Sequence, residues 1–240
     1  MAKPGFTFPK ESLQFLRSLK RNNNRDWFNR HKSVYENSVK EPMNELIRAL
    51  AADFARLAPE MIATPKASAY RIYRDTRFSK DKSPYKTHVA AVFPRAGLGK
   101  HEGAGFYFHL AADECLIAGG LYMPLSEELG AVRSHIAENH KAFGGIVNSR
   151  RFKSLFGAVG GEKLSRVPRG FAPNHPAAEY LKHKQFLAGR TLAPEVALES
   201  GFYKLIVETF QGMLPFIRFL NEPIIRSRRI RKRQDAMLAF

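Results

Sequence analysis

The run F-Y-F-H-L-A-A-D-E-C-L-I-A-G-G-L-Y, Phe106 to Tyr122, decides the fold. Phe106–Leu110 and Cys115–Tyr122 are short apolar segments separated by the turn Ala112-Asp113-Glu114. Such runs bounded by turn residues read as strands, and a link this short joins antiparallel neighbours. Side chains alternate along a strand, so Phe106, Phe108 and Leu110 share one face while Tyr107 and His109 share the other.

Upstream, Gly97, Gly99, Gly103 and Gly105 make 94–105 a glycine-rich connection carrying Arg95, Lys100 and His101. Its spacing fits neither a P-loop nor a dinucleotide fingerprint, so it reads as a hairpin link or a flexible lid. Thr87–Phe93 reads as a further strand. Tyr70-Arg71-Ile72-Tyr73-Arg74 alternates like a half-buried one, with Arg71 and Tyr73 on one side and Ile72 and Arg74 on the other. Four strands joined by short links predict an antiparallel meander with helices on one face. Lys184–Leu192 adds an edge strand.

Helices are expected before and after these strands in the chain. The first spans 10–21, with Leu13, Leu16 and Leu19 three apart. Asn24 is an N-cap for a second that carries Trp27, Phe28, His31, Val34 and Tyr35 on one stripe. Pro42 opens a third, which ends before Pro59. From Pro194 onward a long helix is expected, kinked at Pro215. The fold class is α+β: an antiparallel sheet of about four to five strands packed by N-terminal and C-terminal helices. Residues 1–225 read as a single α+β domain and 226–240 as a basic C-terminal tail.

The stretch from Tyr70 to His88 concentrates the chemistry. Arg71, Arg74, Arg77, Lys80, Lys82 and Lys86 are its cations, Asp75 and Asp81 its acids, and Tyr70, Tyr73, Phe78 and Tyr85 are interleaved. Guanidinium groups offer planar paired donors that fit phosphate or carboxylate. Arg71, Arg74, Arg77 and Lys82 are therefore candidates to hold an anion. Asp75 or Asp81 is a candidate base, either can orient an arginine, with Asp81 counted among the anion-site residues, and Tyr85 is a candidate donor. Asp75 and Asp81 equally suit ion pairs that pin the loop. His109 becomes a candidate acid or base if its face meets this loop, and has no chemistry if it meets solvent or a helix.

The same residues carry a family likeness. R-x-x-R-D-x-R-F-x-x-[DN]-K-x-x-Y is matched at Arg71, Arg74, Asp75, Arg77, Phe78, Asp81, Lys82 and Tyr85 without departure. In this the chain resembles a widely distributed, mostly bacterial family known as domain of unknown function 2461. The resemblance spans about Phe6 to Pro223. It includes N-N-R-D-W-F at Asn23–Phe28, P-R-G-F at Pro168–Phe171 and H-P at His175–Pro176. It adds Arg169 and His175 as residues that would complete the anion site from another direction. It implies no established activity and names no cofactor.

Composition narrows the remaining classes. The chain has 240 residues, 44% of them hydrophobic, which is enough for a true core. Cys115 is its only cysteine, so no disulfide framework and no cysteine-rich zinc site is expected. With no apolar signal core at Met1–Gly5 and no membrane-length window, a cytoplasmic protein is expected. His135 and His140 lie five apart, off a shared helical face, and lysine and arginine crowding argues against a hard-metal site at Asp75 and Asp81, so no metal site is assigned. The net charge is +17, and the tail supplies +5, leaving +12 for residues 1–225. A body this basic points to an anionic partner, either a small molecule or nucleic acid. Three functions follow: an anion-binding enzyme, a nucleic-acid-binding module, or an interaction domain whose motif is an ion-pair network.

Overall fold

Leu13, Leu16 and Leu19 recur at helical spacing, and the helix they predict forms: α1, Lys10–Arg21, buries all three with Phe15. The computed structural model describes residues 5–238, with side chains as far as 230. The N-terminal four residues and much of the expected tail, 231–240, fall outside that side-chain description. Asn24 caps α2, Arg25–Arg30, its side chain accepting the Trp27 N–H at 2.9 Å. After His31 come α3, Lys32–Tyr35, a π-helical turn at Glu36–Lys40, and α4, Glu41–Leu57. Pro42 stands at the start of a helix, as its sequence position predicts, but no loop separates that helix from α3. Instead the π turn carries the chain straight into α4, where Pro42 sits in the first turn and its missing N–H is harmless. The buried Ser12 hydroxyl donates to the Ser38 carbonyl in that turn. A short α5, Pro65–Ser68, follows.

The sheet consists of β1, His88–Phe93, β2, Gly105–Ala111, β3, Cys115–Leu121, and β4, Phe186–Leu192. It is antiparallel throughout in the order β1-β2-β3-β4. Between β3 and β4 run α6, Ser126–Glu138, α7, His140–Val147, α8, Arg150–Phe156, and α9, Ala178–Leu181. A 3-10 turn at Pro194–Leu198 leads into α10, Phe202–Leu238. That helix runs on through Pro215, which is exposed, and through the expected tail region. Among the described residues no helix is long and apolar enough to cross a membrane.

One expected strand is absent. Tyr70–Arg74 makes only isolated bridges, with Ala69 opposite Ala91 and Tyr73 opposite Tyr85. The Arg74 N–H donates to the Pro84 carbonyl at 2.9 Å and the Lys86 N–H to the Ile72 carbonyl at 2.7 Å, but a continuous ladder fails because Pro84 has no N–H to return the first bond, while the backbone of Tyr85 faces the other way. Its N–H donates to Asn23 Oδ1 at 3.1 Å and its carbonyl accepts from Asn23 Nδ2 at 2.9 Å. The side-chain alternation survives: Arg71 and Tyr73 are exposed while Ile72 is buried.

The register sets two unlike faces. Ala91 opposes Phe108, and Phe108 opposes Ile117, on the face that meets the helices. Phe54 of α4 meets Phe93 and Phe106, and Phe210 of α10 stacks on Phe106 at 4.6 Å. Each such buried ring contributes roughly 1.5–3 kcal/mol relative to exposure. Gly119 allows α10 this close, since a Cβ there would lie 2.6 Å from Met213 Sδ. Gly120 has φ +133°, and its added Cβ would strike the Phe186 carbonyl at 2.0 Å, so β3 could not pair with β4 here through any other residue. On the opposite face Val92, Tyr107, His109, Leu116 and Ala118 are only half-buried.

Asn221 fastens α10 to the start of β2. Its Nδ2 donates to the Ala104 carbonyl and its Oδ1 accepts the Ala104 N–H, both at 2.8 Å, in a fully buried setting. Asn221→Leu would strand both backbone groups, so it should lower unfolding free energy by about 2–4 kcal/mol. Urea denaturation measures this, and a loss under half a kcal/mol would show the clamp to be dispensable.

Candidate anion site

Asp75 and Asp81 organise the arginine loop. The Asp75 carboxylate takes two hydrogen bonds from the Arg77 guanidinium, at 3.0 Å from Nε and 2.7 Å from Nη2, and also accepts the Arg77 backbone N–H. These bonds hold the Asp75 carboxyl down at about 2. Asp81 accepts the Ser83 hydroxyl at 2.6 Å and the Ser83 N–H at 2.9 Å, and pairs with Arg74. Ser83 and then Arg74 hold its carboxyl well below the usual range. Lys82 donates to the Thr76 carbonyl at 3.0 Å. Arg74, Arg77 and Lys82 are thus all engaged within the loop. Exposed ion pairs contribute little stability individually, but two carboxylates with backbone contacts fix the course of an otherwise irregular segment.

Tyr85 lies beneath this loop. Its ring is 4% exposed and stacks on Phe28 at 4.0 Å, and burial raises its hydroxyl above the ordinary phenol value. Phe78, by contrast, is 96% exposed, with the Arg77 guanidinium 5.7 Å from its ring centre. Arg71 is exposed on the side of the ribbon that carries Tyr73.

Arg169 and His175 sit elsewhere in the fold. They precede β4, and their segment bridges to that strand's surroundings through Gly160–Leu187 and Lys163–His183. The arginine loop borders β1, at the other edge of the sheet. Three strand spacings separate those edges, roughly 14 Å. His175 Nδ1 accepts the Ala177 N–H at 3.0 Å, and its ring meets His140 of α7 at 5.6 Å. No described contact joins Arg169 or His175 to the loop.

What the loop does meet is the half-buried face of the sheet. Tyr70, at its start, lies 6.4 Å ring to ring from Tyr107. Lys86 and Lys100 place their ammonium groups 5.0 and 4.4 Å from the Tyr70 ring centre. Neither lysine has a carboxylate partner among the described residues, and Lys100 donates to the Ala69 carbonyl at 3.0 Å. Burial pulls both lysines below their ordinary value, helped by Arg71 at Lys86 and by Lys86 at Lys100. The Tyr70 hydroxyl lies 3.4 Å from His101 Nδ1.

Next to them runs a hydrogen-bonded line. Tyr107 Oη is 3.1 Å from His109 Nδ1, and His109 Nε2 is 3.0 Å from Glu114 Oε1. His88 of β1 meets the His109 ring at 5.2 Å. The face of Tyr107 and His109 therefore does meet the stretch that begins at Tyr70. Lys100, His88 and Glu114 were not singled out as site residues from the sequence. Register brings His88 and Glu114 to His109, and the β1–β2 connection brings Lys100 to Tyr70; neither is visible in local spacing. Among the described residues no group of three or more His, Cys, Asp and Glu is placed to hold a metal ion.

These features define an α+β protein with one helix-covered and one half-open sheet face. Residues 11–219 match the family model described as conserved hypothetical protein, domain of unknown function 2461, and the chain belongs to that family. No curated protein and no solved structure matches the chain.

The histidines of the open face make stability depend on pH. Burial first, then the charges of His109 and Lys86, push His88 down to about 4. The unfolded chain accepts that proton near pH 6.5, so stability is complete above this value and is lost as pH falls towards 4. Burial shifts His109, His135 and His183 in the same direction. The depressed carboxylates act lower, below about pH 4. Between pH 7 and pH 4.5 the protein should lose about 1–3 kcal/mol through His88, and His88→Asn should lose correspondingly less. Urea titrations at the two pH values check this; equal losses in both proteins would clear His88 of the effect.

Proposed function

We propose that this protein binds a small anion, carrying a phosphate or carboxylate group, where the arginine loop meets the open sheet face. The observation that carries this reading is the pair Lys86 and Lys100, held at one aromatic ring with no carboxylate partner among the described residues. Like charges repel, and half-burial removes water that would screen them, so such a pair is stabilised by a bound anion. Arg71, exposed and felt by Lys86, extends the seat. Arg74, Arg77, Asp75, Asp81 and Lys82 serve it indirectly by fixing the loop, and Tyr85 and Asn23 anchor that loop to the helical layer. Asp75, ionised and clamped by Arg77, is better suited to bracing than to taking a proton.

Inorganic phosphate is the simplest probe. It should raise the melting temperature of the protein, because a ligand that binds only the folded state stabilises it by mass action. Lys86→Ala and Lys100→Ala should each weaken phosphate affinity about 10–100-fold, the worth of a charge-assisted hydrogen bond. Titration calorimetry measures the affinities; unchanged binding in both variants would rule out this seat.

A second reading, nucleic-acid binding, draws on a separate feature. A cleft of about 770 Å³ beside α10 is lined by Arg95, Arg218, Arg226 and Arg229. Glu60 holds Arg218 and Glu222 holds Arg226, leaving less free charge than the sequence suggests. On this reading a single-stranded oligonucleotide would bind with an affinity that falls steeply with salt.

A further inference from the structure

We propose that Glu114, His109 and Tyr107 form a proton relay that removes a proton from a hydroxyl group or water beside the bound anion, making the open sheet face a catalytic site. This rests on the anion reading for its substrate class, a small phosphate- or carboxylate-bearing molecule, while the relay itself stands on its own geometry. Glu114 accepts from His109 Nε2 at 3.0 Å, which fixes the proton on that nitrogen. His109 Nδ1 is then the acceptor, and Tyr107 donates its hydroxyl proton to it at 3.1 Å. A carboxylate orients an imidazole, and the imidazole faces an oxygen: these are the roles of a hydrolytic triad with a phenol in place of the usual hydroxyl.

The environment selects how the relay works. Burial pushes the Tyr107 hydroxyl far above the ordinary phenol value, with Tyr70, Tyr122 and Glu114 adding to the shift. Tyr107 therefore does not persist as a phenolate; it passes protons. The substrate O–H bond breaks, and its proton moves to Tyr107 Oη. The proton already on Tyr107 moves to His109 Nδ1, and the resulting imidazolium is paired with Glu114. The deprotonated oxygen is left beside Lys86 and Lys100, whose charges stabilise it. Burial lowers His109 despite Glu114, so the ring is the free base at neutral pH. The groups facing it are His88 from β1, Tyr107 on its own strand, and Glu114 and Asp113 from the turn; Lys20 of α1 neutralises Asp113. In this scheme Tyr107 and His109 carry the proton, and Glu114 is a positioning residue.

A hydroxyl activated in this way can be detected without the natural substrate. An aryl sulfonyl fluoride should modify Tyr107: the Oη–S bond forms, the S–F bond breaks, fluoride leaves, and the phenol proton goes to His109. Peptide mass spectrometry on the full-length protein locates the adduct and gives its rate. We expect Tyr107 to react faster than Tyr180, whose hydroxyl meets Asn148 instead of a base. His109→Asn should slow the reaction about tenfold or more, and Glu114→Gln, at a partly exposed position that leaves the core untouched, severalfold. In the wild type the rate should fall as pH drops below the ordinary histidine range, and the same fall should persist in His88→Asn. An unmodified Tyr107 would overturn the relay, since the proposal requires its oxygen to be reachable. So would rates indifferent to both substitutions, or a pH dependence that disappears with His88. Inorganic phosphate should slow labelling by occupying the adjacent seat. Labelling that depends on His109 but ignores phosphate would keep the relay and remove the anion reading.

Discussion

Everything in this molecule hangs on one unequal choice: the sheet gives its aromatic face to the helices and leaves the other half open. Phe106 is the pivot. It meets Phe54 of α4 and Phe210 of α10, so the two long helices of opposite chain ends share a single strand residue. Gly119 and Gly120 permit this, one by clearing space for α10 and the other by letting β4 approach β3. Because the hydrophobic layer lies on one side, the other side is free to hold groups that a core would exclude.

Two asparagines transmit that arrangement to the irregular segments. Asn221 pairs with both backbone groups of Ala104, and Asn23 with both of Tyr85. Each replaces the missing neighbour of a strand with a side-chain amide, which offers a donor and an acceptor in the same geometry. The arginine loop is therefore suspended between fixed points. Tyr85 is anchored on Phe28 and Asn23, Tyr70 is hydrogen-bonded to Ala90, and the two aspartates brace what lies between. Asp81 and Asp75 pair with Arg74 and Arg77, while Lys86 and Lys100, where the loop leans on the sheet, have no carboxylate partner among the described residues.

Much of this was legible in advance, because local pattern and tertiary need agreed. The leucines of α1, the Asn24 cap, the two-strand run at 106–122 and the edge strand before Leu192 each carry their own periodicity or turn chemistry. The segment at Tyr70–Arg74 shows the limit. Its alternation is real, but alternation reports which side chains are buried and says nothing about where the backbone bonds go. Pro84 has no N–H to return the bond from Arg74, and Asn23, sixty-two positions from Tyr85, holds the edge of that segment that faces away from Tyr73. The π turn before Pro42 likewise leaves no trace in hydrophobic spacing that separates it from a helix break.

The candidate site divides along the same line. By itself the sequence determined the fold class, the family, and the density of arginine, aspartate and tyrosine at 70–88, since these depend on residue types within short windows. Tertiary structure alone decided which of those charges cancel, which remain, and what stands beside them. Folding sets Asp81 against Arg74 and Asp75 against Arg77, and strand register brings His88 and Glu114 to His109 while the β1–β2 connection carries Lys100 to Tyr70. The physical reason is range: helix and strand propensity act over a few residues, whereas the charge balance and desolvation of a site are summed over every group that folding brings within a few ångströms.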